Sequence, residues 1–435
     1  MDDGSSPPGR REDEPTTDPE PQGPESDRQP PARQAGGDST VSGGEAGQGL
    51  DESGGESDSS DPLELFFDLV FVFAFTRVTT FVAHHASPVG LLKGALLLAA
   101  LWWAWVTYTW LMDTIPEDGL LAERLGVLAA TAAMFVVALG VQNAFSDTAA
   151  LFGGTYFVVR LLHVVLTVRS SGGAVLDRFT RLVPGFLGGP GLLLLAAFTD
   201  GRVQFALWIV GIAVDYGVFL VRGVAKYRVN VSHFVDRYRS IIIIALGESV
   251  LAMGFGIIRE EPTLPAGVVV VAVLGILLTA ALAWLYFDYV TVAAEGHFAS
   301  VEGYERGRLA RNSYAYIHLV MVAGILLVAL GLEGAVPAVG APLGLYPAAG
   351  LYGGTALYLA GHIAFRLHDI GSVSLARLIA AVVAALLVVP MGHVGTLLAL
   401  AVIVAGAIGL VVFETVFSTI RAQVIERGGL EESRG

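Results

Sequence analysis

The sequence contains no cysteine in its 435 residues. This absence excludes disulfides, thiolate metal sites and cysteine nucleophiles. Charged side chains are also scarce, at 15% of the chain, whereas about 25% is usual for a soluble domain. Hydrophobic residues make up 54% of the chain, and the mean hydropathy is +0.64. This composition excludes an ordinary soluble globular protein and is typical of a membrane protein.

Recognisable catalytic motifs are missing as well. The chain has no H-E-x-x-H, no G-x-S-x-G and no Gly-rich phosphate-binding loop. The Asp-Tyr pairs at 215–216 and 288–289 stand in the wrong order for an aspartyl intramembrane protease. We therefore expect no enzymatic activity, no catalytic residue, no metal site and no cofactor.

Residues 1–60 differ in composition from the rest of the chain. They are rich in Asp, Glu, Pro, Gly and Ser and nearly free of aromatic side chains. Such a segment buries too little apolar surface to offset its conformational entropy, so we expect a disordered acidic tail. The tail also accounts for much of the net charge of −14, because the loops that follow are basic.

Long apolar stretches follow from Leu63 onward, and each is long enough to cross a bilayer as a helix. Backbone groups in lipid must be hydrogen-bonded internally, so these stretches are predicted to be helices. The sequence thus predicts an all-α, polytopic membrane helix bundle with about twelve transmembrane helices. The predicted spans are 63–83, 89–112, 122–145, 149–169, 181–199, 203–221, 240–258, 265–290, 311–333, 344–366, 375–391 and 394–417.

The orientation follows from the basic residues of the loops. Loops on one side of the predicted membrane, with the C-terminal segment, hold 17 Lys and Arg residues, and loops on the other side hold two. Cytoplasmic loops carry the excess of Lys and Arg. We therefore expect a multi-pass protein of the inner (plasma) membrane with both termini in the cytoplasm.

The two halves of the membrane region resemble each other. "VALGVQNAF" (137–145) recurs as "VALGLEGAV" (328–336), and "GGTYFVVRLLH" (153–163) recurs as "GGTALYLAGH" (353–362). Such matches join each span to the sixth span after it, which predicts two parallel six-helix repeats of the kind found in secondary transporters. The predicted parts are the tail at 1–60, a first repeat at 61–230, a second repeat at 231–420 and a short cytoplasmic tail at 421–435.

Several charged residues fall inside the predicted spans. Glu64 and Asp68 share one helix face in the first span. The offset between the two repeats makes Glu248, in the seventh span, the counterpart of Asp68. A charge at the centre of a lipid-exposed helix costs about 2.5–3.5 kcal/mol, so we expect Asp68 and Glu248 to face a common polar pocket inside the bundle. Glu64 is alternatively a first-turn acid that stabilises the helix N-terminus. Arg77 either extends to the lipid headgroups or pairs with an acid from another span.

Two histidines occupy matching positions in the repeats, His163 and His362. Together with Asp68, Glu248 and Arg160 they are candidates for a proton relay or a cation site. The alternative is that each histidine bonds a neighbouring carbonyl group or packs between helices.

Two stretches resemble a known family. "DPLELFFDLVFVFAFTRVT" at the first span and "DRYRSIIIIALGESVLA" (236–252) at the seventh resemble the bacterial low temperature requirement A (LtrA) family, and the resemblance extends over about 62–420. It implies a polytopic bacterial inner-membrane protein, named for a growth phenotype in the cold, without an assigned activity. By matching motif positions, Glu64, Asp68 and Glu248 are positions that this chain shares with the family pattern.

Three functions fit these observations. The leading hypothesis is a transporter or channel-like protein that moves a small solute or ion through the bilayer, with the proton as candidate coupling ion. The alternatives are a structural or regulatory component of the envelope, and a membrane-embedded enzyme acting on lipids. The expected partners are the lipid bilayer and an unidentified small solute or ion, and no nucleic acid.

Overall fold

The computed structural model describes residues 62–114, 121–170, 176–222, 230–260, 264–287 and 296–432. The acidic tail predicted for residues 1–60 lies outside these ranges. Within them the secondary structure is helical, apart from an isolated bridge between Pro342 and Gly395. The expected all-α fold is therefore confirmed for the described part of the chain.

The long helices are numbered α1 to α12 along the chain. α9 contains a π-helical segment, Ala310–Ile317, and α10 joins Leu345–Ala348, a π-helical segment Ala349–Gly353 and Gly354–Ile370. The bounds are Pro62–His84 (α1), Pro88–Met112 (α2), Leu121–Gly140 (α3), Ala149–Ser170 (α4), Leu176–Ala196 (α5), Gly201–Arg222 (α6), Val231–Glu260 (α7), Ala266–Phe287 (α8), Gly303–Ala335 (α9), 345–370 (α10), Leu375–Gly392 (α11) and Thr396–Glu432 (α12).

Each span predicted from hydropathy overlaps one of these helices. Ten of them are long and apolar enough to cross a membrane, which confirms a multi-pass membrane protein. The other two are α5, whose described apolar part is Gly185–Ala196, and α10, which the π-helical segment interrupts. The last helix continues to Glu432, through much of the segment assigned to a C-terminal tail.

The predicted start of the seventh span was wrong. The sequence placed it at residue 240, but α7 begins at Val231. The polar residues before the apolar run were interpreted as a loop, whereas Arg237 is 1% exposed and lies inside the bundle. Arg237 forms ion pairs with Glu64 and Asp68 there, so its charge is balanced without contact with water.

Local sequence signals explain several helix ends. Ser87 caps α2, since its hydroxyl accepts a hydrogen bond from the Gly90 amide at 3.0 Å, and Pro88 occupies the first turn. Ser374 caps α11 in the same way. Gly371 ends α10 with a φ of 70°, a left-handed conformation that glycine adopts without steric cost.

The two first helices of the predicted repeats, α1 and α7, pack against each other in the interior. α1 also contacts α2 and α3, and α7 contacts α8 and α9. Tryptophan and tyrosine side chains fill the surrounding core, including Trp102, Trp105 and Tyr238. The outer helices α6 and α11 are the least buried, and Leu386 of α11 is 72% exposed. Exposed leucine of this kind is expected where helices face acyl chains.

The π-helical segment of α9 frees backbone carbonyl groups for side chains. The indole of Trp102 donates to the Ala315 carbonyl at 2.7 Å, and the His318 ring lies 2.8 Å from the Ser313 carbonyl through Nδ1. A carbonyl only accepts, so Nδ1 carries the proton, and Nε2 accepts from the Tyr286 hydroxyl. π-Helical turns are frequent at functional sites, and here the turn connects α9 to α2.

Helices α9 and α10 pack closely through glycine. A Cβ atom added to Gly331 would lie 2.5 Å from the Leu351 amide nitrogen, and one added to Gly324 would lie 2.6 Å from the Tyr358 amide nitrogen. Small residues allow such close backbone approach between membrane helices. Glycine at these positions is therefore a packing requirement.

We expect Gly331→Ala to destabilise the protein by about 1–3 kcal/mol, because the added methyl group meets backbone atoms that cannot move aside. Gly409→Ala is the matched control, since a Cβ at Gly409 meets no atom within 4 Å. The measurement is the thermal unfolding midpoint in detergent. A Gly331→Ala protein as stable as the control would contradict the close packing.

Candidate functional site

Helices α1 and α7 run in the same direction along their interface. Three polar contacts join side chains of the two helices at the same separation of 169 positions, so that a step along α1 is matched by an equal step along α7. Only parallel helices have this property. The pairs are Glu64 with His233, Asp68 with Arg237, and Thr79 with Glu248.

His233 lies between two carboxylates at one end of this interface. Its Nε2 atom is 2.8 Å from Glu64 Oε2, and its Nδ1 atom is 3.3 Å from Asp113 Oδ1 at the end of α2. Carboxylate oxygens accept hydrogen bonds, so with both acids ionised both ring nitrogens donate and the ring is an imidazolium. His233 thereby connects α7 to α1 and α2.

Asp68 lies one turn further along α1 and is fully buried. The Arg237 guanidinium donates to Asp68 Oδ1 at 2.9 Å, and the Trp105 indole donates to the same oxygen at 2.8 Å. Arg237 also lies 3.5 Å from Glu64 Oε2. Both members of the Asp68–Arg237 pair are 1% exposed. The arrangement neutralises charges that would each be costly to bury alone.

Glu64, Asp68, Asp113, His233 and Arg237 form what we call the charge cluster. Sequence reasoning found its two acids on α1 but missed the other three, because it ended the second span before Asp113 and began the seventh after Arg237. A signal was present: Glu64 and Asp68 are four residues apart, and so are His233 and Arg237. Each pair lies on one helix face, and their charges are complementary.

Glu248 lies further along the α1–α7 interface than the charge cluster and is 0% exposed. Its carboxylate accepts from the Thr76 hydroxyl at 2.5 Å and from the Thr79 hydroxyl at 2.6 Å, both on α1. Among the described residues it forms no ion pair, and the carboxylate of Glu333 on α9 acts on it electrostatically. Glu248 is thus held by hydroxyl groups, while Asp68 is held by a cation.

The structure separates the two acids that the sequence expected in one pocket. Thr79, which bonds Glu248, lies 11 residues beyond Asp68 on α1. At about 1.5 Å per residue this corresponds to roughly 16 Å along the helix axis. Asp68 and Glu248 share the α1–α7 interface but have no common hydrogen-bond partner.

Arg160 and His163 belong to a separate cluster in the first half. The Arg160 guanidinium donates to Asp215 Oδ1 on α6 at 2.8 Å and to the Thr107 hydroxyl on α2 at 2.7 Å. Arg160 is 0% exposed and Asp215 is 2% exposed, so the pair is fully buried. The ring of His163 packs 5.5 Å from that of Tyr108. These contacts join α2, α4 and α6.

His362 lies in a corresponding cluster of the second half. Arg377 on α11 donates to Glu414 Oε2 on α12 at 2.7 Å and to His362 Nδ1 on α10 at 2.8 Å. Arginine can only donate, so Nδ1 is the unprotonated nitrogen and His362 is neutral. The described contacts therefore leave His163 and His362 in different clusters, apart from Asp68 and Glu248.

Arg77 directly follows Thr76, the α1 residue that bonds Glu248, but it does not neutralise this acid. Its guanidinium carbon is 5.9 Å from the centre of the Phe73 ring on the same helix, and its backbone carbonyl accepts from the Gln142 amide. Among the described residues, the Arg77 Nε atom has no hydrogen-bond partner. No group of three or more His, Asp or Glu side chains among those residues is placed to hold a metal ion.

We expect Asp68→Leu or Arg237→Leu alone to destabilise the protein by about 3–5 kcal/mol, because each leaves a buried charge without its partner. The double variant Asp68→Leu/Arg237→Leu is expected to recover most of that loss. Thermal unfolding in detergent gives the three values.

The control for this cycle is the exposed pair of Glu305 and Arg308, whose removal is expected to cost about 0–1 kcal/mol. Additive losses at Asp68 and Arg237 would contradict an energetic coupling between them.

Comparison with known proteins agrees with the resemblance noted in the sequence. The chain matches the bacterial low temperature requirement A proteins over residues 59–412, which include both helices of the α1–α7 interface. It is 28% identical over 283 residues to an uncharacterized protein of Rhizobium meliloti (strain 1021), a match covering 62% of this chain and 67% of that relative. No solved structure matches the chain. This chain belongs to the bacterial low temperature requirement A (LtrA) family.

Proposed function

We propose that this protein moves a small solute or ion across the inner membrane in exchange for, or together with, a proton that binds at Glu248. The proposed activity is transport without a catalysed reaction. The observation that carries the proposal is the position of Glu248, a buried carboxyl group between two halves of the membrane region, held by hydroxyl groups of the opposite half.

The hydroxyl groups around Glu248 have fewer protons to donate than there are oxygen atoms to accept them, which favours the neutral, protonated form of this acid. The Thr76 hydroxyl lies within reach of both Glu248 and the Val72 carbonyl, and the Thr79 hydroxyl lies within reach of both Glu248 and the Thr76 carbonyl. Each hydroxyl has one proton to donate, so an ionised Glu248 competes with those carbonyls. A protonated Glu248 donates to one hydroxyl itself, which then donates to its carbonyl. Both protonation states therefore have hydrogen bonds available.

The parallel direction of α1 and α7 supports two repeats of six helices. Each crossing reverses the direction of the chain, so α1 and α7 enter the membrane in the same direction when the six helices α1 to α6 all cross it. The packing order also corresponds: α1 contacts α2 and α3, α7 contacts α8 and α9, and α3–α4 and α9–α10 are each closely packed. Parallel repeats with a site at their interface are a common transporter architecture.

The loop charges support cytoplasmic termini. Arg237, Arg311 and Arg377, which the sequence assigned to the basic side, are buried. Without them that side still holds 14 Lys and Arg residues against two. The excess favours an inner-membrane protein with its N- and C-termini inside the cell.

A second candidate function is favoured by the ion pairs. Asp68–Arg237, Arg160–Asp215 and Arg377–Glu414 each join different helices and are largely buried. Such pairs suit a rigid structural or regulatory component of the envelope, in which Glu248 would likewise only hold α1 and α7 together. This alternative predicts that Glu248 matters for folding and not for flux.

We expect Glu248→Gln to abolish transport while the protein remains folded, because the amide keeps the side-chain oxygen and the shape but cannot release a proton. The measurement uses proteoliposomes with an internal pH dye, exposed in turn to sodium, potassium, amino acids and carboxylic acids. Wild-type protein is expected to change the internal pH with one of these probes, and Glu248→Gln to lower that rate about a hundredfold or more.

Glu305→Gln is the matched control, because Glu305 is 55% exposed and distant from α1 in the sequence. Its flux is expected to equal that of the wild type. Unchanged flux in Glu248→Gln would remove this residue from the mechanism. A lower unfolding temperature for Glu248→Gln, with no flux for any probe in the wild type, would favour the structural alternative.

A further inference from the structure

A cavity of about 470 Å³ lies between α11 and α12 in the second half, far in the chain from the charge cluster. Leu282 and Leu285 of α8 and Leu359 of α10 form its back wall, and Ala380 of α11 and Gly406 of α12 lie at its sides. Cavities of roughly 300–1,000 Å³ are the usual size of small-molecule sites.

The polar side chains in the described part of the cavity wall are already hydrogen-bonded. Among the described residues that line the cavity, the polar side chains are those of Tyr352 and Thr355. The Tyr352 hydroxyl donates to the Ala399 carbonyl at 2.6 Å, and the Thr355 hydroxyl donates to the Leu351 carbonyl at 2.7 Å. A water molecule needs two to four polar partners to remain in a cavity, so this space suits an apolar occupant.

The cavity opens to the outside between the two helices. Ile379 and Val383 of α11 line it and are 54% and 46% exposed, and Phe413 of α12 lines it and is 47% exposed. These helices are membrane spans, so the opening faces the acyl chains of the bilayer. A lipid chain can therefore enter sideways without crossing water.

The length of the cavity matches one leaflet. On α11 its wall runs from Ala376 to Leu387, and on α12 from Val402 to Phe413. Eleven residues of helix correspond to about 16 Å, which is about half of the 30 Å hydrocarbon core. A single acyl chain of one leaflet fills this length.

One end of the cavity is polar. Ala376 and Phe413 each precede a member of the Arg377–Glu414 ion pair, and the Glu414 side chain is 23% exposed. This end therefore lies where the acyl chain meets the polar headgroup region, while the rest of the wall is apolar.

The corresponding helices of the first half, α5 and α6, approach each other closely at two glycines. A Cβ on Gly211 of α6 would lie 2.3 Å from the Leu193 side chain, and one on Gly189 of α5 would lie 2.7 Å from the Gly211 carbonyl. In the second half a Cβ on Gly406 or Gly409 of α12 would meet no atom within 4 Å. α5 and α6 are therefore in close contact at Gly189 and Gly211, whereas the space beside Gly406 on α12 is open.

We propose that this cleft binds one acyl chain of a membrane phospholipid, with its headgroup at the Arg377–Glu414 end. The inference does not depend on the transport proposal. It gives the cleft between α11 and α12 a ligand.

The test is photocrosslinking in phosphatidylcholine vesicles that contain a phospholipid with a diazirine on one acyl chain. We expect crosslinks to concentrate on residues 376–413 in the wild type. A Cβ at Gly406 meets no atom within 4 Å, so Gly406→Leu places its side chain in the cleft and is expected to lower this labelling about tenfold, equivalent to a roughly 1.4 kcal/mol loss of binding. Ala380→Phe on α11 is a second filling variant, used if Gly406→Leu does not fold.

Gly217→Leu on α6 is the matched control, since a Cβ there also meets no atom within 4 Å but lies outside the cleft. Its labelling is expected to equal that of the wild type. Equal labelling of α6 and α11, insensitive to either filling variant, would overturn the proposal, because it would show only the lipid that surrounds every span.

Discussion

The structure depends on the neutralisation of charge inside an apolar helix bundle. Asp68 cannot remain ionised in the interior without a cation, and Arg237 cannot remain there without an acid. Their mutual bond at 2.9 Å therefore fixes α1 against α7 at one register and one rotation. Glu64 and His233 follow in the same register one turn away, and the core of tryptophan and tyrosine packs around the contact.

Buried ion pairs also connect helices within each half of the membrane region, and Glu248 is the exception to this pattern. Arg160 with Asp215, and Arg377 with Glu414, tie the fourth to the sixth helix and the eleventh to the twelfth. These pairs make rigid connections. Glu248 is different, because hydroxyl groups and not a cation hold it among the described residues. In the transport mechanism proposed above, these ion pairs stay fixed while Glu248 binds and releases the proton.

The halves share an order of packing but differ at their outer helices. α5 and α6 close on each other through glycine, whereas α11 and α12 leave a cleft that opens toward lipid. A repeated sequence pattern does not fix this difference, because it depends on how far two helices approach. The second half thus has a surface for a lipid chain where the first has a packed contact.

By itself the sequence determined that the chain is a bundle of membrane helices, because apolar length and the need to hydrogen-bond every backbone group in lipid are local requirements. Ser87 and Ser374 mark helix starts for similarly local reasons. It also placed Asp68 and Glu248 in the interior, where both are found. Only the tertiary structure decided their partners. The choice between a cation for Asp68 and hydroxyls for Glu248 depends on the offset of 169 positions between α1 and α7, and a register between distant helices arises from packing that no local pattern encodes.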